Sequence, residues 1–346
     1  MEDFEEFEEF INYVYNDPYD YPARRYLRDA SNPMECYDDV EFQQRFRFRK
    51  ETMVNTILPL TGILPNENSR GLPIPPIIQL LVAMRFYATG NFQIDCGDRH
   101  KLSQAVACKI IARVSRALAL HVGQYVKFPP VNELAANKRK MFQIAGFPGA
   151  IGAIDCTHIS IKNPDRERGE VFRNRKGNFS INVQLVCGPQ MEIYDVVARW
   201  PGSVHDSRIF ANSRCYMMFE EGTISGILLG DSGYAQTSYM YTPVINPRTQ
   251  PEERYNRAHI STRNIIERVN GVLKRRFACL SRTLQNRLHN IPNIIVACVV
   301  LHNISIMTNQ ELPAELIMAE EIPVAVIPDN ERGSLIRAAF IGRHFT

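Results

Sequence analysis

Asp155, Asp231 and Glu267 are the residues of this 346-residue chain whose type and placement could do chemistry. Asp155 closes the apolar run GAIGAID, Asp231 closes ILLGD, and Glu267 lies in the helical pattern of IIERVNG. Carboxylate oxygens are hard ligands suited to Mg2+ or Mn2+. Gathered in one place, they could hold two such ions about 3.5–4 Å apart, a pair that activates a water and stabilises the leaving oxygen of a phosphodiester. Taken singly, each acid is ordinary: an Asp at a strand end is more often a turn or cap residue, and Glu267 alone reads as an exposed helix position. What sets the three apart is their order, strand-Asp, hairpin, strand-Asp, helix-Glu.

The elements that must position them are legible from periodicity. Residues 149–155 form a short apolar run, and 180–187 (SINVQLVC) alternates, with Ile181, Val183 and Leu185 opposite Ser180, Asn182 and Gln184. A Gly188-Pro189-Gln190 turn leads into a third strand at 192–199, and 227–231 is a fourth. The segment DSRIFANSRCYMMFEEG between the third and fourth strands reads as helical, and 262–277 is a helix with Ile266, Val269 and Leu273 on one side. This order predicts an α/β fold with a mixed sheet of the ribonuclease H-like kind.

Upstream the pattern is helical. Pro75 and Pro76 suit a helix start and Gly90 its end. After the loop NFQIDCGDRHK, Ser103 suits an N-cap for a second helix with the apolar stripe Val106, Ile110, Val114 and Leu118. Lys109, Arg113 and Arg116 then point elsewhere. This is the outline of a helix-turn-helix that could place basic side chains on DNA, and equally of any helical bundle with a basic face. FPP and GFPGAIG within 128–150 suggest a boundary. The expected organisation is an acidic, aromatic arm and basic segment (1–50), a helical DNA-binding region (51–145), a nuclease-type domain (146–310) and a C-terminal tail (311–346).

Hydrophobic residues make up 45% of the chain, enough for a packed core, which sets aside global disorder. No apolar run reaches the ~20 residues of a membrane span, and the acidic N-terminus is unlike a signal peptide. No membrane is therefore expected, and the chain is expected to stay inside the cell. The net charge of +3 conceals blocks: residues 1–20 carry −8, 70–140 carry +8 and 248–287 carry +7. Basic blocks attract polyanions, although they also serve as solvated faces. The eight scattered cysteines include no CxxC pair and read as reduced thiols. Cys298 and His302, four residues apart in an apolar run, read as parts of a buried helix.

GAIDCTHISIK, RKGNFSINVQLVC, WPGSVHDSRIF, LLGDSGY, IIERVNGVLKRRF and VACVVLHNI occur in the order seen in PIF/Harbinger transposases, and the chain resembles especially the animal Harbinger transposase-derived nucleases. The resemblance, from about residue 70 to 307, implies a DDE endonuclease whose catalytic and metal-binding acids are Asp155, Asp231 and Glu267, with Mg2+ or Mn2+ as cofactor. It also draws in His158, Arg175, Lys176, His205 and Asp206. Asp206 reads first as a helix N-terminal cap and second as an additional metal ligand. Arg173, Arg175 and Lys176 precede a strand at a Gly turn and suit phosphate contact. Lys274, Arg275 and Arg276 suit the DNA backbone or, alternatively, the helix dipole. The family further implies DNA as substrate, a Myb-like partner assisting DNA binding and nuclear import, a nuclear location and possible homodimerisation. The sequence has no long run of Lys and Arg to serve as a nuclear signal, so a cytoplasmic pool is expected as well. The competing expectations are a domesticated DNA- or partner-binding scaffold that needs no cleavage, and an RNA-directed hydrolase on the same fold.

Overall fold

A computed structural model of the chain describes residues 32–62, 74–90, 102–164, 169–310 and 331–346. The acidic arm, the 91–101 loop that would complete a helix-turn-helix, and the first part of the tail lie outside the described residues.

The centre is a five-stranded mixed sheet: β1 (Ala150–Ser160), β2 (Ser180–Cys187), β3 (Ile193–Pro201), β4 (Ile227–Leu229) and β5 (Met240–Tyr241), in the order β3-β2-β1-β4-β5. The first three pair antiparallel, whereas β4 runs parallel to both β1 and β5. Two points differ from the sequence expectation. Asp155 lies in the middle of an 11-residue strand, because the apolar alternation resumes through Thr157 and Ile159 beyond the carboxylate. All eight residues of β2 are buried, polar ones included, because both faces of this interior strand are covered. Gly152 permits the close pairing of β1 and β2: a Cβ there would stand 2.6 Å from the Cys187 carbonyl oxygen.

Between β3 and β4 lie two short helices, α5 (Asp206–Ala211) and α6 (Arg214–Glu220), rather than one. Upstream are α1 (Asp39–Phe46), α2 (Pro76–Thr89), α3 (Gln104–Ala119) and α4 (Val131–Ala145); downstream are α7 (Gln250–Arg276), α8 (Ile291–Met307) and α9 (Glu331–His344). Gly90 ends α2 in the left-handed region (φ 62°), and Ser103 caps α3 by accepting from the Val106 amide. The helix α7 is 27 residues long, about 40 Å. A capping box opens it: Thr249 accepts from the Glu252 amide while Glu252 accepts from the Thr249 amide. Lys274, Arg275 and Arg276 occupy its last turn, where the dipole favours cations.

The helix α8 is the hub of the core. Ile294, Ile295, Val299, Val300, Leu301 and Ile304 are at most 1% exposed, and each is worth roughly 1.5–3 kcal/mol of burial. The segment Leu288–Met307 is apolar and long enough to cross a membrane, but 67% of its apolar window is buried inside this fold. Cys298 and His302 belong to that interior, His302 Nε2 lying 2.9 Å from the Met191 carbonyl. One hydrophobic cluster joins residues of α1, α2 and α3 through α8 to β1, β2 and α7, so it runs across the boundary suggested near 146. The helix α9, read from sequence as tail, returns to this core: Arg337 donates to Thr242 Oγ1 at 3.1 Å and Phe340 packs on Phe147 with ring centroids 5.5 Å apart.

Candidate active site

The sheet register explains why two of the acids meet. Ala153 of β1 stands opposite Leu229 of the parallel strand β4. Asp155 and Asp231 each lie two residues further on, so their carboxylates emerge side by side. Asp231 is just past its strand, in a turn closed by the Gly233 amide donating to its Oδ1 at 2.9 Å. The helix α7 packs against β1 and presents Arg263, Glu267, Asn270 and Lys274. At ~100° per residue these four fall within an arc of about 60°.

Each of the four takes part in the contact. Arg263 Nη2 donates to Asp155 Oδ1 at 2.7 Å and lies 3.8 Å from Asp231 Oδ2, while its Nη1 donates to Glu267 Oε1 at 2.9 Å. Asn270 Nδ2 donates to Asp155 Oδ2 at 3.0 Å. Lys274 Nζ donates to Thr157 Oγ1 at 2.7 Å and to the His158 carbonyl at 3.3 Å. The sequence reading missed Arg263 and Asn270, although their spacing from Glu267, four before and three after, was the available signal.

Burial dominates the electrostatics. It raises the Asp155 carboxyl to about 7; Arg263 opposes the rise, while Asp231, Asp206 and Glu267 add to it. Asp231 is likewise raised by burial and lowered by Arg263. Burial would lower the Arg263 guanidinium, but Asp155, Asp231 and Glu267 outweigh that and hold it above its ordinary value. Lys274 is pushed down to about 8 by burial, against the pull of Asp155.

These side chains line one cleft of about 810 Å³, which His158, Arg175, Lys176, His205 and Asp206 also line. Arg175 Nη2 lies 2.7 Å from His205 Nδ1, and His158 Nδ1 lies 3.0 Å from Ser180 Oγ. Asp206 is the first residue of α5, whose N-cap is His205 with no capping bond from its side chain. Its Oδ1 instead accepts from Asn182 Nδ2 at 2.9 Å, and its charge acts on Asp155 and Asp231. Asp206 is therefore not the capping residue of α5, although it keeps its place in the first turn and lines the same cleft as the other acids.

Other residues named from sequence fall elsewhere. Arg173 is engaged with Glu170 at 2.8 Å and with the Gly177 carbonyl at 2.9 Å, bracing the turn before β2. Arg276 is 1% exposed and donates to the carbonyls of Arg47 and Gln310, which removes it from any DNA surface. The physical reason is helical rotation, since two residues past Lys274 is about 200° away. Arg275 is half-buried and outside the cleft lining. Lys109, Arg113 and Arg116 are exposed on α3, Arg113 donating to Gln79 Oε1 at 3.2 Å, and none lines the cleft.

The donor set of Asp155, Asp231, Glu267 and Asp206 is all carboxylate, the chemistry of a hard divalent cation. As placed, however, no three His, Cys, Asp or Glu side chains among the described residues are close enough to ligate one ion. The Arg263 guanidinium is bonded to Asp155 and Glu267 and faces Asp231. The residue types fit a metal, and a cationic side chain shares their oxygens.

Residues 154–303 match the family model described as DDE superfamily endonuclease. A mouse protein named "Putative nuclease HARBI1" is 40% identical over 274 residues, covering 78% of this chain and 78% of the relative. The human protein of the same name is 37% identical with the same coverage. The chain belongs to the Harbinger transposase-derived nuclease family. An Arabidopsis thaliana relative, "Protein ALP1-like", is 29% identical over 71% of this chain and 64% of its own. No solved structure matches. The matched DDE-type endonuclease domain spans the sheet from the middle of β1 onward, the acids and most of α8.

Proposed function

We propose that the chain is a divalent-metal-dependent DNA endonuclease that hydrolyses phosphodiester bonds in the cleft between β1, β4 and α7, on a ribonuclease H-like sheet. One observation carries this reading: Asp155, Asp231 and Glu267, from three separate elements, converge on a single guanidinium in a cleft that Arg175 and Lys176 also line. Asp155, Asp231 and Glu267, with Asp206 beside them, would hold Mg2+ or Mn2+. When bound, such a cation pair activates the attacking water and stabilises the leaving oxygen.

The chain's own residues do the rest. Arg175 and Lys176 offer positive charge to the phosphodiester backbone, a contact that positions without reading sequence. Asn270 fixes the orientation of Asp155, and Lys274 ties α7 to β1 so that Glu267 keeps its place beside the strand. Water adds to phosphorus and the 3′ oxygen leaves; the freed 3′ hydroxyl could then attack a second DNA in the same cleft. The exposed Lys109, Arg113 and Arg116 of α3 extend the reading to flanking DNA through a helix-turn-helix-like region. A nuclear site of action with a cytoplasmic pool, a Myb-like partner and a homodimer that joins two DNA ends complete it.

The test is nicking of supercoiled plasmid by the full chain with Mg2+ or Mn2+, compared with Asp231→Ala, with and without a Myb-like partner. Nicking by the wild type that vanishes in Asp231→Ala and in chelator is the expected result. Equal nicking by both proteins would remove the mechanism, and none from folded wild type under any condition would favour a binding scaffold.

A further inference from the structure

Among the described residues, Arg263 is the one cation in contact with all three acids. Its side chain is 14% exposed, and it reaches Asp155 Oδ1 at 2.7 Å, Glu267 Oε1 at 2.9 Å and Asp231 Oδ2 at 3.8 Å. The neighbouring cation, Lys274, is turned to Thr157 Oγ1 and the His158 carbonyl instead. Asp155, Asp231, Glu267 and Asp206 all line this cleft, and a positive group among carboxylates offsets their mutual repulsion. Arg263 supplies that group from within the chain.

A divalent cation would draw on the same oxygens, and magnesium demands them at about 2.0–2.1 Å in near-ideal geometry. A guanidinium bonded to Asp155 and Glu267 leaves those carboxylates turned to itself, and its positive charge repels an incoming cation. Arginine has an alternative anion to move to, because its planar fork matches a phosphate as well as a carboxylate. Arg175 and Lys176, which line the same cleft, would bring such a phosphate into it.

Building on the nuclease reading above, we infer that Arg263 is a positioning residue that competes with the divalent cation for the acid cluster, and that nucleic acid relieves the competition by drawing its guanidinium onto a backbone phosphate. Metal and DNA then assist each other's binding. Thermodynamic linkage requires the factor to be the same in both directions. Free protein holds its metal weakly, and the loaded site assembles on DNA.

The experiment is a Mn2+ titration of the full chain followed by the paramagnetic signal of free Mn2+, without and with a DNA duplex. It compares wild type, Arg263→Gln, Arg263→Lys and Asp231→Asn. Arg263→Gln should bind Mn2+ more tightly than wild type without DNA, by on the order of tenfold. DNA should tighten Mn2+ binding to wild type and leave Arg263→Gln nearly unchanged. Arg263→Lys, whose ammonium cannot bridge three acids at once, should fall between them, and it carries the test if the Gln variant does not fold. Asp231→Asn should lose Mn2+ binding throughout. Equal or weaker Mn2+ binding by Arg263→Gln, alongside Asp231-dependent binding in wild type, would overturn the competition and leave the nuclease reading standing. Absence of Asp231-dependent binding in every protein would overturn both.

Discussion

Asn270 and Arg263 hold the two oxygens of one carboxylate: Asn270 Nδ2 donates to Asp155 Oδ2 at 3.0 Å while Arg263 Nη2 donates to Oδ1 at 2.7 Å. Both donors come from α7, seven residues apart, so the helix grips the central strand through the group proposed to do chemistry. The two donors differ in kind, since one is neutral and the other carries the charge that offsets the acids.

Asn270→Ala should therefore weaken function without dissolving the cluster. Losing an orienting partner of a metal ligand typically costs about 10–100-fold in metal affinity or activity. Mn2+ titration and plasmid nicking should both fall within that range, with a loss of stability of about 1–3 kcal/mol from the buried Asp155 oxygen left without its donor. Unaltered Mn2+ affinity would mean that Arg263 alone orients Asp155.

The raised Asp155 carboxyl gives a pH dependence with a definite sign. Burial, reinforced by the neighbouring acids, holds its folded value at about 7, above its ordinary value of 3.8. Between those values the folded chain binds a proton that the unfolded chain does not. Its contribution to stability is thus complete below about 4 and lost as pH rises through about 7. The buried His259 and His302, both pushed down to about 4, act in the opposite sense: their contribution is present above 6.5 and lost as pH falls through about 4. Comparing Asp155→Asn with wild type in chelator isolates the carboxyl. The melting temperature of wild type should drop relative to the variant between pH 5 and pH 8, over the range that the about-7 value sets. A constant difference would mean that Asp155 titrates at its ordinary value.

Arg276 and Arg175 should separate structure from DNA contact. Arg276→Ala leaves the carbonyls of Arg47 and Gln310 without this donor and should cost about 1–3 kcal/mol in urea unfolding. It should leave the salt dependence of DNA binding unchanged. Arg175→Ala, at an exposed cleft position, should stay within about 0.5 kcal/mol in stability. It should also reduce the logarithmic salt slope of DNA binding by about 1. The reverse pattern would exchange the roles assigned to the two arginines.

The site was readable wherever a residue type stood out against its surroundings. Asp155 and Asp231 interrupt or close apolar runs, and Glu267 lies in a helix whose apolar face is periodic. Arg263 was hidden because it sits in a block carrying +7, where one arginine looks like another. Only the three-dimensional meeting of α7, β1 and β4 distinguishes it. The KRR run at 274–276 misled for the converse reason: three adjacent basic residues look alike in sequence, yet helical rotation sends Lys274 to the cleft and Arg276 into the core. The strands β1 to β4 were legible as elements, and β2 with β3 as a hairpin, whereas the two-residue β5 is too short for any period. The helix α9 escaped because its docking through Phe340 and Arg337 is a tertiary event without a local signature.

The helix α8 is walled on one side by α3 and on another by β3, and the same apolar cluster continues from both. Each half of the protein lines part of the other's interior. Severing the chain near residue 146 would expose both at once, so the helices upstream cannot be traded for a different recognition module as beads on a string can. Any change in what those helices recognise has to be made on their outer faces, residue by residue, with the shared wall kept intact.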